Sequence, residues 1–201
     1  GQSTPPPQPW GVADFAACVK ALILQLDIAP CDIIAHSFGG RVALYLAANE
    51  PQLVKRLVLT GCAGIRPPKT PEQQKRSARY QRLKGLYQSL GRVAPLKGLS
   101  DQLLGKLRQK YGSPDYNALS EDMKKTFVKV VNEDLSPLLP RVQASTLLVW
   151  GENDTETPLW MGQQMEKEIP DAGLVIFEND DHFAYLRQWP RFVRVVQAFL
   201  K

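Results

Sequence analysis

Four short apolar stretches, rich in β-branched and aliphatic residues, alternate along the chain with longer stretches in which apolar residues recur at helical spacing. The short stretches, which predict buried strands, are residues 32–36, 53–61, 145–154 and 173–177. The longer stretches, which predict helices, are residues 10–28, 40–49, 158–168 and 189–200. Strands that alternate with helices in this way predict an α/β fold with a doubly wound, mainly parallel sheet.

Residues 65–141 interrupt the alternation, because they contain no strand pattern as clear as those four. They are rich in Lys, Arg, Leu and Gln, and glycine and proline residues break them into short pieces. An amphipathic helix is predicted for the most regular piece, EDMKKTFVKVVNEDL. We therefore expect a helical cap, residues 65–141, inserted into an α/β core made of residues 1–64 and 142–201.

The composition is that of an ordinary globular chain of 201 residues, with 44% apolar and 22% charged residues. No apolar run approaches the roughly 18 residues that a membrane-spanning helix needs. The three cysteines are odd in number and widely spaced, which disfavours a disulfide framework or a zinc site. We therefore expect a reducing, cytoplasmic setting, and the sequence carries no signal for an oligomeric state.

The net charge of +5 is unevenly distributed. Residues 65–141 hold 16 Lys and Arg against 7 Asp and Glu, a balance of +9, whereas the rest of the chain is at −4. No nucleic-acid-binding motif is found in the densest basic part, KTPEQQKRSARYQRLKGLY, so we expect no nucleic-acid partner. A solvated cap surface is expected, and the alternative is contact with an anionic or lipid-like substrate or a membrane surface. Several apolar residues of this region are expected to line or cover a substrate cavity: Leu83, Leu86, Tyr87, Leu103, Leu104 and Leu107.

Polar residues that fit one mechanism follow three of the predicted strands. Ser37 comes directly after the first strand, Asp154 follows the third, and His182 follows the fourth. Because functional groups in a parallel sheet gather at the carboxyl ends of the strands, these side chains are expected to meet. A serine hydroxyl is a weak nucleophile until a base within hydrogen-bond reach takes its proton. A histidine that is oriented by a carboxylate supplies such a base.

Each of these positions also has an ordinary structural interpretation. The serine fits the cap of a helix, and two neighbouring carboxylates, Glu152 and Glu156, compete with Asp154 as the acid. The chain has only two histidines, and His36 immediately precedes the serine, so its ring cannot readily face the adjacent hydroxyl as a base. We assign His36 to packing or to the wall of the substrate-binding site, which leaves His182 as the candidate base.

Together these motifs resemble the alpha/beta hydrolase family. The family's nucleophile pattern is G-x-S-x-G, and this chain has Ala35-His36-Ser37-Phe38-Gly39, with the small residue alanine in the first place. The stretch GENDTETP is similar to the family's acid loop, DDHFAYLRQWPRFVRVVQAFL to its closing segment, and the helical insert to its cap. The resemblance implies a serine hydrolase with a nucleophile, a base, an acid and a backbone N–H donor to the oxyanion: Ser37, His182, Asp154 and Phe38.

The same resemblance implies a class of substrate. It indicates a small or medium acyl substrate, a carboxylic ester first of all, that is cleaved through an acyl-enzyme without a metal or an organic cofactor. Hydrolysis of carbon–carbon bonds in diketone-like compounds uses the same three residues and stays open, as does an inactive fold that binds a ligand or partner. The serine argues against the family's members that use an aspartate nucleophile.

The first residues also bear on the comparison with the family. They form the polar, proline-rich stretch GQSTPPPQPW, which is similar to the loop after the family's fourth strand. We therefore expect the preceding strands to be missing from this sequence, together with the loop that supplies a second oxyanion N–H. A strand 32–36 without a neighbour on one side would leave an apolar edge, which favours pairing or aggregation.

Overall fold

The computed structural model describes residues 4–66, 70–112 and 114–201. The described part contains one parallel sheet of four strands in the order β1-β2-β3-β4. The strands are β1 (Cys31–His36), β2 (Val54–Thr60), β3 (Ser145–Gly151) and β4 (Ala172–Phe177). Each strand overlaps one of the predicted apolar stretches, so the prediction of an α/β fold with a parallel sheet is confirmed.

One helix precedes the first strand of the described sheet, and the other helices lie between the strands or follow the last of them. They are α1 (Val12–Gln25), α2 (Phe38–Asn49), α3 (Pro71–Leu90), α4 (Lys97–Tyr111), α5 (Pro114–Ala118), α6 (Glu121–Asn132), α7 (Leu159–Glu168), α8 (Ala184–Arg187) and α9 (Trp189–Phe199). Short 3-10 turns lie at Pro51–Leu53, Ala94–Leu96 and Ser136–Arg141. Within the described ranges, no helix combines the length and the apolar character needed to cross a membrane.

Both faces of the sheet are apolar, because successive residues of a strand point to opposite faces. Along β2, Leu57 and Leu59 pack in a cluster that contains Leu44 of α2. The residue between them, Val58, packs in a second cluster that contains Phe192 of α9. All three β2 side chains are fully buried. The sheet is thus covered by helices on both faces, which is the doubly wound arrangement.

Strand β1 lies at one edge of the described sheet, where β2 is its partner. The side chain of Ile34 is 53% exposed. Large apolar side chains near the end of α1 are also exposed: Leu22, Leu24, Leu26 and Ile28. An apolar edge of this kind is able to pair with a further strand.

The chain divides into two compact units, and each has its own internal contacts. The larger unit comprises residues 6–66 and 128–201, and it contains the sheet. The smaller unit comprises residues 4–5 and the described residues from 70 to 127. Within the smaller unit, α3 packs beside α4.

The end of the predicted cap belongs to the larger unit. Residues 128–141 belong to the unit that contains the sheet. The N–H of Leu135 donates to the carbonyl of Gly64 at 2.9 Å, and Leu139 is fully buried. The predicted insert, residues 65–141, is therefore longer at its end than the smaller unit. Burial of the apolar residues Val130, Leu135 and Leu139 in the core cluster of the sheet accounts for the difference.

Helix α2 requires a glycine at position 40 but not at position 39. A Cβ on Gly40 would lie 2.2 Å from Sγ and 3.3 Å from Cα of Cys62, whereas a Cβ on Gly39 would meet Cβ of Ala35 at 3.7 Å. We expect Gly40→Ala to lower the free energy of unfolding by about 1–3 kcal/mol, because the methyl group overpacks a buried position. Gly39→Ala, the matched control, is expected to be neutral or to stabilise by up to about 1 kcal/mol, since alanine favours the helix. Urea unfolding compares the two variants, and equal stabilities would contradict this account.

Candidate active site

Ser37 occupies a sharp turn between β1 and α2. Its backbone angles, φ 49° and ψ −113°, lie in a region where residues other than glycine are rarely found. Its N–H donates to the carbonyl of Thr60 at 3.1 Å. Its carbonyl accepts from the N–H of Gly40 at 3.1 Å and from that of Ala63 at 3.2 Å. Strain of this kind persists only where the surroundings fix the residue, and it is concentrated at functional sites.

Helix α2 begins at Phe38, directly after the serine and two residues earlier than the sequence pattern predicted. The N–H of Phe38 is therefore the first of the helix and has no acceptor within it. An N–H at this place is suited to stabilise a negatively charged oxygen that forms at Ser37. The ring of Phe38 is 42% exposed and stands edge-on to the ring of Phe15, with the centroids 5.1 Å apart. Contact with α1 therefore anchors the side chain, and the role of the N–H stays a prediction.

Asp154 and His182 form a buried, hydrogen-bonded pair. Asp154 follows β3 and His182 follows β4, and Nδ1 of the histidine lies 2.8 Å from Oδ2 of the carboxylate. Asp154 is 5% exposed and His182 is 6% exposed. When Nδ1 carries the proton and donates it to Asp154, the lone pair of Nε2 is free to accept a proton. This is the arrangement that a general base requires.

The glycine after β2 allows this pair to approach the sheet. A Cβ on Gly61 would lie 3.0 Å from Nδ1 of His182 and 3.2 Å from Oδ2 of Asp154. Gly61 directly follows Thr60, whose carbonyl holds the turn at Ser37. The pair therefore lies against the end of β2, which is the strand that pairs with β1. Ser37, Asp154 and His182 follow β1, β3 and β4, and they therefore lie on the side of the sheet where the parallel strands end.

The carboxylate of Asp154 is held mainly by Thr157, a residue that the sequence analysis did not single out. Oδ1 accepts from the backbone N–H groups of Glu156 at 2.9 Å and Thr157 at 2.8 Å, and Oδ2 accepts from the Thr157 hydroxyl at 2.8 Å. The indole of Trp150 donates to the carbonyl of Thr157 at 2.7 Å, which anchors this loop to β3. Burial raises the pKa of Asp154, but the hydrogen bonds from His182 and Thr157 lower it, and the net shift is downward.

His182 has a raised pKa and a second carboxylate near its other nitrogen. Burial lowers the pKa of His182, but the hydrogen bond and the charge of Asp154 raise it, and the net shift is upward. Glu156 and Asp181 act in the same direction. Oε2 of Glu156, whose side chain is 61% exposed, lies 3.5 Å from Nε2. In the described part of the chain, the hydroxyl of Ser37 forms no hydrogen bond with His182. The contact between the candidate nucleophile and the candidate base therefore stays a prediction.

His36 is part of the wall against which His182 packs. Its Nδ1 lies 3.0 Å from both the carbonyl oxygen and the hydroxyl of Thr60. Its ring centroid lies 4.6 Å from that of His182 and 4.7 Å from that of Tyr185. Burial lowers the pKa of His36, and the neighbouring His182 lowers it further. Contact with the candidate base is therefore observed, whereas a contact of His36 with substrate stays a prediction.

The other carboxylates near the site have partners of their own. Oε2 of Glu152 accepts from the N–H of Asn179 at 2.9 Å. Asp181 pairs with Arg187 at 2.6 Å. Among the carboxylates weighed from the sequence, Asp154 is the one that binds Nδ1 of the histidine in the described structure. The described residues contain no group of three or more His, Cys, Asp or Glu side chains that could hold a metal ion.

Comparison with known proteins identifies the family. The family model of the alpha/beta hydrolase fold matches residues 1–187. The chain therefore belongs to the alpha/beta hydrolase family, which is a family of hydrolytic enzymes. The parallel sheet and the strand-to-helix turn at Ser37 agree with the fold of this family.

Relatives of known activity are also hydrolases. A 2-hydroxy-6-oxononadienedioate/2-hydroxy-6-oxononatrienedioate hydrolase from a Pseudomonas species is 24% identical over 197 residues, which cover 92% of this chain and 68% of the relative. A pimeloyl-(acyl-carrier protein) methyl ester esterase from Neisseria meningitidis is 29% identical over 202 residues, which cover 94% of this chain and 75% of the relative. The crystal structure of the enol-lactonase from Burkholderia xenovorans LB400 has a TM-score of 0.68 at 22% identity, covering 100% of this chain and 76% of that one, and shows the same fold.

The two histidines are expected to titrate on opposite sides of the ordinary value. We expect His182 to have a pKa above 6.5 and His36 to have a pKa below it. Because the chain contains only these two, their ring signals can be followed by NMR, and His36→Asn assigns them. Asp154→Asn is expected to lower the pKa of His182, since it removes the charge beside Nδ1. Glu152→Gln is the control and should leave it unchanged; a common pKa for both rings would refute the interpretation.

The hydroxyl of Thr157 is expected to stabilise the fold only while Asp154 is ionised. Thr157→Val removes the hydroxyl at nearly constant volume, and we expect a loss of about 1–3 kcal/mol in the free energy of unfolding at neutral pH. Since the pKa of Asp154 is lowered in the folded state, this contribution is present above the unfolded pKa and disappears as pH falls through the folded pKa. Thr157→Ser keeps the hydroxyl and is the matched control. Urea unfolding at several pH values measures both, and a deficit of Thr157→Val that is independent of pH would argue against this role.

Proposed function

We propose that the protein is a serine hydrolase that cleaves a small or medium acyl substrate, a carboxylic ester first of all, through an acyl-enzyme. The observation that carries the proposal is the 2.8 Å hydrogen bond between Asp154 and His182, buried beside the end of the strand that holds the turn of Ser37. A histidine fixed by a buried carboxylate is oriented to take a proton. A serine on a strained strand-to-helix turn presents its hydroxyl to such a base.

The proposed reaction begins when Nε2 of His182 takes the hydroxyl proton and Oγ of Ser37 bonds to the carbonyl carbon of the substrate. The N–H of Phe38 stabilises the resulting oxyanion, a contribution of about 3–4 kcal/mol to the barrier. The imidazolium, stabilised by Asp154, gives its proton to the leaving alcohol as the acyl-enzyme forms. A water molecule, deprotonated by the same histidine, then attacks the acyl carbon, releases the acid and restores Ser37.

Glu156 has to leave Nε2 before the serine hydroxyl can bond to that nitrogen. The separation of 3.5 Å is longer than a strong hydrogen bond, and the side chain of Glu156 is 61% exposed. Rotation of this solvated side chain would free Nε2 without disturbing the bond between His182 and Asp154. Catalytic hydrogen bonds are often long in a free enzyme and shorten when the substrate binds.

Hydrolysis of a carbon–carbon bond is the second candidate function. It is supported by the relative named for 2-hydroxy-6-oxononadienedioate, at 24% identity, whereas the methyl ester esterase, at 29% identity, supports the ester. Both reactions would use the same nucleophile, base and acid. The choice between them therefore depends on the substrate that the site admits and not on the three side chains.

Hydrolysis of p-nitrophenyl esters by the purified protein tests the mechanism. We expect Ser37→Ala to lower kcat by at least about a thousandfold, because the nucleophile is lost while substrate binding remains. The same variant should lose labelling by a fluorophosphonate probe, which reacts with activated serines. Ser89→Ala is the matched control, since Ser89 is an exposed serine whose hydroxyl bonds to the carbonyl of Gly85 within α3, and it should retain both properties.

Three outcomes distinguish ester hydrolysis, carbon–carbon bond hydrolysis and a fold that only binds a ligand or partner. Ester turnover that persists unchanged in Ser37→Ala would exclude the proposed mechanism. A protein that is neither labelled nor active with any substrate would favour a fold that binds a ligand or partner. Dienoate diketones assayed beside the esters rank the two reactions by their kcat/KM values, and a preference for the diketones would replace the ester as the substrate.

A further inference from the structure

One side of helix α3 carries a stripe of positive charge. Lys75, Arg79 and Arg82 follow one another at intervals of four and three residues, which places them on the same side of the helix. All three are exposed, and Leu86, four residues further along that side, is 56% exposed. No residue of α3 is buried. This side of the helix therefore carries three exposed cations followed by an exposed leucine.

The cations of this region have no acidic partners in the described part of the chain. Residues 70–100 contain seven Lys and Arg residues and one acid, Glu72, so their net charge is +6. None of the seven forms an ion pair with a described residue. Arg76 stands over the ring of Tyr111, 5.5 Å from its centroid. A concentration of unneutralised positive charge of this kind attracts an anionic surface.

The segment from the end of α3 into α4 adds a group of exposed apolar side chains. We call residues 86–99 the apolar tip, and its large exposed members are Leu86 (56%), Val93 (50%), Leu96 (36%) and Leu99 (52%). The tip is held in shape by the hydroxyl of Ser100, which donates to the carbonyl of Tyr87 at 2.7 Å. Single exposed leucines are common on protein surfaces, whereas a concentration of apolar side chains marks an interaction site.

We propose that the basic side of α3 and the apolar tip together bind the surface of a bilayer that contains anionic lipids. The apolar tip would enter the boundary between headgroups and acyl chains, while Lys75, Arg79 and Arg82 lie against the phosphate groups. Arg92 and Lys97 lie within the tip and are exposed, so their charged ends reach the headgroups while their stems stay among the apolar side chains. This contact is independent of the hydrolase mechanism.

The apolar tip is the feature that favours a lipid over a nucleic acid. A nucleic acid offers phosphates to the basic side of α3, but its backbone has no apolar layer beside those phosphates for the exposed leucines. A bilayer offers anionic headgroups and acyl chains next to each other. Leu86 is expected from the sequence to line a substrate cavity, but its exposure on the same side of α3 as the three cations favours the bilayer.

Sedimentation with lipid vesicles tests the proposal. The purified protein is mixed with vesicles of phosphatidylcholine alone or of an equimolar mixture of phosphatidylcholine and phosphatidylglycerol. We expect at least about tenfold tighter binding to the mixed vesicles at low salt, because several surface cations each contribute to the attraction. Added NaCl should weaken this binding, since salt screens exposed charges. A wild-type protein that sediments with neither kind of vesicle would overturn the proposal.

Charge reversal on α3 isolates the basic stripe. The combined change Lys75→Glu, Arg79→Glu and Arg82→Glu is expected to weaken binding to the mixed vesicles by at least about tenfold. The matched control makes the same change in net charge at three exposed lysines elsewhere: Lys55, Lys167 and Lys201. An equal loss in the control would mean that overall charge, and not this surface, drives the binding.

Polar substitution isolates the apolar tip. Serine replaces its four large exposed side chains, and we expect binding to the mixed vesicles to weaken by at least about tenfold even at low salt. The matched control places serine at four other exposed apolar positions: Leu22, Leu24, Leu26 and Ile28. Circular dichroism verifies that each variant is folded.

The remaining outcomes count against the bilayer. A tip variant that binds vesicles like the wild type but has a changed KM for esters would place these side chains in the substrate site. Tighter binding to a single-stranded RNA than to the mixed vesicles, lost on charge reversal but kept in the tip variant, would identify a nucleic acid as the partner. An equal effect of the tip variant and its α1 control would show nonspecific adhesion.

Discussion

The hydrogen bond between Nδ1 of His182 and Oδ2 of Asp154 is the interaction on which the candidate site depends. It joins the loop after β4 to the loop after β3, and it lies in a buried setting at 2.8 Å. Both partners are removed from water, so loss of Asp154 would leave Nδ1 of His182 without the carboxylate that orients it. The bond therefore fixes both loops and the orientation of the imidazole, and the proposed chemistry uses the nitrogen that this orientation leaves free.

Close packing of small residues makes that bond possible. A Cβ on Gly151 would lie 2.1 Å from the carbonyl oxygen of Asp181, and a Cβ on Gly61 would lie 3.0 Å from Nδ1 of His182. Side chains at these two positions would push the loop after β4 away from the strand ends and separate the base from the acid. The same kind of contact, between Gly40 and Cys62, brings the start of α2 against the end of β2. The geometry of the site is thus a consequence of how the carboxyl ends of the strands pack.

The strands could be predicted from the sequence because apolar runs report burial in a sheet, and a parallel sheet gathers its strand ends at one edge. That rule predicts Ser37, Asp154 and His182 as a candidate site without coordinates. The hydroxyl of Thr157 could not be assigned in the same way, because its role depends on the fold of a loop and not on a repeating pattern. A threonine three residues after an aspartate does fit a local turn of this type, and this is the signal that could have found it. The exposure of Leu86 could not be predicted from the sequence either, because α3 has no buried side that a regular spacing of apolar residues would indicate.

The electrostatics around His182 set two opposing requirements for a base. Burial favours the neutral form of His182, whereas Asp154 at Nδ1 and Glu156 near Nε2 both favour the imidazolium. A stronger base takes the serine proton more readily, but a larger fraction of it is already protonated at a given pH. Burial limits how far the two carboxylates can raise the pKa of His182, because the charged form loses hydration. Glu156 differs from Asp154 in being exposed, so solvent screens its influence and its side chain can turn away when a substrate enters. Asp154 therefore orients the ring of His182, whereas Glu156 acts on its charge from a solvated position.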